Sequence, residues 1–258
     1  MSDTKQSTTQ HKRKKAFSAG QWVIILICLI VFCGSAAYLL TYTKDKLDAE
    51  KDFGQLREDA ADLSQLYAEN NDLLGWIKVD DTKIDYPVMY TPDDPEAYLH
   101  ADFNKAYSAS GTPFLDGDCV VFGDGKTWDW LIYGHNMKIG TMFADLQEFE
   151  SEEFRQEHLT FTFDVYDPKT GNTEHGEYEI FAVSRSQIRA EDSDAFKYYV
   201  YAGSTDPASF DEYVAGVKAE SCYDSGITPQ FGEQLVTLST CAYHTDEGRF
   251  YVVGRRIK

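Results

Sequence analysis

Gln234-Leu-Val-Thr-Leu-Ser-Thr-Cys241 and, after Ala-Tyr-His-Thr-Asp-Glu-Gly248, Arg249-Phe-Tyr-Val-Val-Gly-Arg-Arg256 decide how this chain folds. Both runs are rich in β-branched and aromatic residues, and turn chemistry separates them, so they read as neighbouring antiparallel strands. Side chains alternate along a strand. Leu235, Thr237, Ser239 and Cys241 therefore share one face, and Val236, Leu238 and Thr240 the other. On the second strand Arg249 and Tyr251 share a face, opposite Phe250 and Val252. The Cys241 face becomes polar toward its end, which places the thiol at an accessible strand terminus. Gly248 fits the turn, and Arg249 then opens the next strand beside the thiol.

Outward from this pair, residues 76–79, 83–90, 130–133, 159–166 and 178–184 have the same strand character. Residues 207–222 differ: Phe210, Tyr213, Val214 and Val217 recur at helical spacing, with Asp206 before Pro207 as an N-cap ahead of proline at the first helical position. Residues 44–75 read as a charged stalk running into an amphipathic helix that ends near Gly75, carried by Leu56, Ala60, Leu63, Leu66, Tyr67 and Leu73-Leu74. The pattern predicts a mostly antiparallel β domain, closed as a barrel, with helices at its start and in one long late connection.

The charge is unevenly placed. Of 258 residues, 24 are Lys or Arg and 43 Asp or Glu, for a formal −19, which excludes a general nucleic-acid binder needing a basic face. Residues 1–21 nevertheless hold Lys5, Lys12, Arg13, Lys14 and Lys15 against Asp3 alone. From Trp22 to Leu40 no residue is charged. A helix of that length spans about 28 Å, close to the hydrocarbon thickness of a bilayer. The basic flank predicts a cytoplasmic N-terminus. A cleaved signal peptide, with Ser35-Ala36-Ala37 as its site, and a buried helix of a soluble domain are the other readings. The apolar run continuing through Leu39-Leu40 weighs for an uncleaved, single-pass anchor. The expected organisation is a basic cytoplasmic tail at 1–21, a transmembrane signal anchor at 22–42, a charged helical stalk at 43–69 and an extracellular domain at 70–258.

A nucleophilic cysteine needs a nearby positive or proton-accepting group. Arg249 could hold an oxyanion or substrate carbonyl, or it could be an edge-strand arginine paired with Asp246 or Glu247. His135, in Trp130-Leu-Ile-Tyr-Gly-His-Asn-Met137, closes a strand just after a glycine that lets the chain turn. His158 and His175 read as surface residues, and His11 falls in the tail; His100 and His244 are harder to dismiss. His244 stands in Cys-x-x-His spacing, but no CxxC or HxxxH supports zinc, so neither a metal nor another cofactor is expected. Cys28 and Cys33 are apolar filler in the anchor, whereas Cys119 and Cys222 could pair.

Several ordered motifs together resemble the class B sortases, membrane-anchored cysteine transpeptidases of Gram-positive bacteria. They are Asn71-Asp-Leu-Leu-Gly-Trp-Ile-Lys-Val79 into Thr82-Lys-Ile-Asp-Tyr-Pro-Val88, Tyr98-Leu-His, Gly111-Thr-Pro-Phe-Leu-Asp116, Tyr133-Gly-His-Asn-Met137, Gly140-Thr-Met-Phe, Thr237-Leu-Ser-Thr-Cys241 and Arg249. The resemblance covers about residues 70–258. It implies an eight-stranded sortase-type β-barrel with N-terminal helices and a long helix between the sixth and seventh strands. It implies Cys241 as nucleophile, His135 as general acid/base, Arg249 as holder of the carbonyl and oxyanion, and Ser239 and Leu99 as substrate contacts. Residues 114–130, with Cys119 and Gly123-Asp-Gly-Lys, are less regular than the family pattern. The implied reaction cuts an NPxT-Gly/Asn-like C-terminal sorting signal of secreted proteins after Thr. The acyl group then passes to a peptidoglycan amine, from a precursor or a cross-bridge, which anchors the protein to the cell wall. The alternatives are a pilus-assembling sortase that uses a pilin lysine, a hydrolytic cysteine protease, and a membrane-tethered binding module without enzymatic activity.

Overall fold

The computed structural model describes residues 18–258 except Arg189, Glu191, Asp192, His244 and Asp246. The chain divides into two compact units at residues 45 and 46. Helix α1 (Ala19–Asp59) begins in the first unit and ends in the second; its stretch Ala19–Leu40, in the first, is long and apolar enough to cross a membrane and is a candidate membrane anchor.

The second unit is built on a closed barrel. Its strands are β1 (Leu73–Lys78), β2 (Asp85–Met89), β3 (Phe114–Leu115), β4 (Asp129–Tyr133), β5 (Thr160–Asp167), β6 (Asn172–Glu174), β7 (Glu177–Gln187), β8 (Leu235–Cys241) and β9 (Gly248–Arg256). They hydrogen-bond in the order β1-β2-β3-β4-β8-β9-β7-β5, and pairing of β5 with β1 closes the ring of eight, leaving β6 as a flap on β5. Closure removes the open sheet edges that would otherwise template aggregation. Neighbours run antiparallel except β2–β3 and β4–β8, which are parallel. Trp130, Ile132, Phe161, Phe163, Ile180, Val236, Leu238 and Val252 are among the buried side chains of the core.

The short helix α3 (Glu152–Glu157) precedes β5, and helix α4 (Pro207–Glu220) lies in the connection from β7 to β8, the sixth and seventh strands of the ring. The Asp206 carboxylate accepts from the Ser209 amide at 3.0 Å, which caps an otherwise orphaned donor, and Pro207 follows at the first turn. Phe210, Tyr213, Val214 and Val217 form its buried face.

The early helices differ from the sequence pattern. Helix α1 ends at Asp59, and a separate short helix α2 (Leu63–Glu69) starts where Asp62 accepts from the Ser64 and Gln65 amides at 3.1 and 3.3 Å. Leu73, Leu74 and Gly75 then belong to β1 rather than to a helix. Apolar residues at helical spacing cannot mark such a break, because a cap competes with helix continuation through one polar side chain. Phe53, Leu63 and Leu66 are buried within the second unit. Strands β3 and β6, two and three residues long, are too short for alternation to announce.

Candidate active site

The ladder of β8 and β9 sets the first two groups side by side: Cys241 is the register partner of Arg249, and Ser239 of Tyr251. On the other side of β8, Tyr133 of β4 is in register with Ser239, and the last ladder bond runs from the Gly134 amide to the Ser239 carbonyl at 3.0 Å. His135 follows immediately. Gly134 does not adopt the left-handed conformation expected of a turn glycine; it is needed for space, because a Cβ there would lie 2.6 Å from the Phe143 ring. Likewise Gly248 is the first residue of β9, and the positive φ of the hairpin, +54°, falls on Glu247.

A cleft of about 470 Å³ collects Cys241, His135, Arg249, Ser239 and Leu99 on its walls. Cys241 is half-buried at the strand terminus. Arg249 Nη1 donates to the Gly248 carbonyl at 3.1 Å, and Nη2 stands 3.7 Å from the Glu247 carboxylate. That carboxylate is 69% exposed, so water and salt screen the pair, and 3.7 Å is too long for a hydrogen bond. The planar guanidinium can therefore serve an oxygen bound in the cleft.

His135 Nε2 is 2.9 Å from the Leu99 carbonyl, so the ring donates there and its orientation is fixed by backbone. His100 stacks on His135 with ring centroids 5.7 Å apart. Leu99 thus lines the cleft and also holds His135 through its carbonyl. Ser239 is a wall residue: it is 1% exposed, and its hydroxyl is hydrogen-bonded to the Tyr198 hydroxyl at 2.7 Å. Burial pushes Tyr198 up to about 12, so its hydroxyl stays neutral.

The remaining candidates lie elsewhere. Cys119 and Cys222 are both free; Cys119 is buried, where loss of hydration pushes its thiol well up. His158 stacks on Phe154 with centroids 4.0 Å apart, and His175 pairs with Asp164 at 2.5 Å. His244 and Asp246 lie outside the described residues. Among the described residues no cluster of His, Cys, Asp and Glu could hold a metal. A thiol, an imidazole and a guanidinium around one cleft are the equipment for acyl transfer: a nucleophile, a proton carrier and an oxyanion partner.

No family model matches the chain. It is 34% identical over 219 residues to Sortase B of Listeria monocytogenes serovar 1/2a, covering 84% of this chain and 80% of that one. The chain belongs to the class B sortases. It superposes on Clostridium perfringens sortase B with a TM-score of 0.63 at 30% identity, covering 75% of this chain and 98% of that one. A Staphylococcus aureus sortase B–substrate complex gives a TM-score of 0.69 at 21% identity, covering 83% and 98%, and supports the fold alone. The chain is thus a sortase, a cysteine transpeptidase on an eight-stranded barrel. Sequence reasoning passed over three residues near this sortase's cleft: Tyr133, whose hydroxyl donates to Asp116 at 2.9 Å; Tyr198; and Asn136, whose amide reaches the Cys241 carbonyl. Asn136 and Tyr133 stand in the motif that carries His135, which was the available signal.

Proposed function

We propose that this sortase cleaves an NPxT-Gly/Asn-like C-terminal sorting signal after Thr and transfers the acyl group to a peptidoglycan amine, anchoring secreted proteins to the cell wall. The observation that carries this reading is the register pairing of Cys241 with Arg249 in a cleft that His135 shares. In the first half-reaction the Cys241 thiolate attacks the Thr carbonyl carbon. The carbonyl oxygen gains the negative charge, and Arg249 stabilises it. The carbon–nitrogen bond then breaks as protonated His135 gives its proton to the leaving amine, which leaves a thioester on Cys241. In the second, the acceptor amine attacks that thioester, His135 takes the amine proton, and the carbon–sulfur bond breaks to restore the thiolate. Leu99 and Ser239 line the cleft as substrate contacts.

Helix α1 supports a membrane-anchored arrangement through its apolar stretch Ala19–Leu40. With the basic flank on the cytoplasmic side, the catalytic unit faces outward, where secreted substrates and wall precursors meet. Nothing in the cleft or among the relatives favours a pilin lysine as acceptor.

The test mixes the purified chain with peptides bearing Asn-Pro-Gln-Thr-Asn or its Gly-ended counterpart, with and without triglycine, and reads products by mass. Cleavage after Thr with an amine-ligated product is expected. Ligation to a lysine amine in preference to triglycine would overturn the wall-anchoring reading, and free acid alone in the presence of amine would reassign the enzyme to hydrolysis.

A further inference from the structure

The parallel ladder between β4 and β8 pairs residues 129–133 with 235–239 and ends with the Gly134-to-Ser239 bond. His135 and Cys241 both lie beyond it. From there the chains part: one turns toward the bridge between Asn136 and Met142, the other into the hairpin before β9. Backbone pairing between these two strands therefore does not fix where the imidazole stands relative to the thiol. Side chains take over that task. The Thr240 hydroxyl donates to the Gly134 carbonyl at 2.6 Å, the Asn136 side-chain amide donates to the Cys241 carbonyl at 2.9 Å, and the Tyr243 hydroxyl donates to the Asn136 carbonyl at 3.0 Å. These bonds cross back and forth between the segments, each donor one or two residues from a reacting group. They continue the ladder in side-chain form.

We infer that Asn136 is a positioning residue: with Thr240 and Tyr243 it holds the segment bearing His135 against the strand end bearing Cys241 and so sets the geometry for proton transfer. The inference rests on the reading of Cys241 and His135 as a reacting pair. Asn136 suits the task because its short side chain carries a donor to the Cys241 backbone carbonyl, while its main-chain carbonyl accepts from Tyr243. Two tethers of opposite polarity resist both sliding and splaying of the loop. The contribution is to geometry, and geometry matters steeply: a displacement of about 1 Å can cost on the order of 100-fold in rate.

The experiment uses the full-length chain in detergent micelles with the Asn-Pro-Gln-Thr-Asn peptide and triglycine. Asn136→Ala is expected to lower kcat by about 10-fold to 100-fold and to change KM by less than about three-fold. Asn136→Leu, of similar shape without the donor, should be as slow, and Asn136→Gln should recover a large part of kcat. Tyr243→Phe, at an exposed position where folding is not at risk, should lower kcat by about five-fold. Wild-type kcat in Asn136→Leu, or a loss confined to KM, would overturn the inference. A second measurement needs no substrate and so separates failure of this inference from failure of the assigned reaction. Alkylation of Cys241 by iodoacetamide at neutral pH is followed on its own proteolytic peptide in wild type, His135→Ala and Asn136→Ala. Asn136→Ala should move the rate in the same direction as His135→Ala and at least halfway to it. An Asn136→Ala rate equal to wild type, or no effect of His135→Ala, would overturn the inference whichever peptide the enzyme prefers.

Discussion

One sheet face, made by β4, β8 and β9, meets two different fates along its length. At the end nearer Asp129 and Thr237, helix α4 covers it. The Thr237 hydroxyl lies 2.9 and 3.0 Å from the two Asp129 oxygens, Tyr213 of α4 bonds to the same hydroxyl, and all three side chains are sealed from water. At the other end the cover stops at Tyr198, and the same face opens as the cleft of Cys241 and Arg249. The register is continuous across the boundary, with Thr237 opposite Val253 and Cys241 opposite Arg249. Strand geometry alone therefore does not make the site; the end of the cover does. The covered half supplies a rigid base, and the open half keeps chemically active groups within reach of a peptide.

If that division holds, substitutions in the open half should cost rate, and those in the covered half stability. The largest effect is expected for His135→Ala, about 1,000-fold in kcat/KM with an unchanged melting temperature, measured by peptide ligation and calorimetry. Arg249→Lys should follow at about 100-fold, because an ammonium lacks the planar pair of donors; a lysine variant near wild type would leave charge alone as the requirement. In the covered half, Phe210 is fully buried and meets Trp128 edge-on with centroids 5.3 Å apart. Phe210→Ala should lower unfolding free energy by about 3 kcal/mol in urea titration while changing kcat by less than about three-fold.

The smallest effect sharpens the comparison through pH. Burial raises Asp129 from 3.8 to about 7, despite the opposing hydrogen bond from Thr237. The folded chain holds this proton more tightly than the unfolded one. The associated stability is fully present below 3.8 and is lost as pH rises through about 7. Asp129→Asn removes that loss. Relative to wild type, the variant should gain stability steadily between pH 4 and about pH 7 in urea titrations. A constant difference across that range would mean that Asp129 is already ionised in the fold at pH 4.

Much of this division was legible in the sequence. Alternation along 234–241 put Thr237, Ser239 and Cys241 on one face, and the spacing of Phe210, Tyr213, Val214 and Val217 announced the covering helix. The ordered motifs gave the family and, with it, the barrel. Less visible was what lies between elements. Asp129 sits 108 residues from Thr237, and Asn136 105 from Cys241; no local periodicity encodes pairs so distant. The break between α1 and α2 turns on Asp62 accepting from Ser64 and Gln65, a competition invisible to apolar spacing. Gly134 read as a turn residue because a glycine's conformational freedom is evident from its identity, whereas the nearness of Phe143 is not.

The central claim, that the open end of this face is a transpeptidation centre with Cys241 as its nucleophile, is tested most directly by intact mass and peptide mapping of enzyme stopped early in turnover of the Asn-Pro-Gln-Thr-Asn and Gly-ended peptides. The account predicts a mass increase equal to the donor fragment ending in Thr, carried on Cys241 and discharged on adding triglycine. An acyl group mapped to another residue, or peptide ligation persisting in Cys241→Ala, would contradict it.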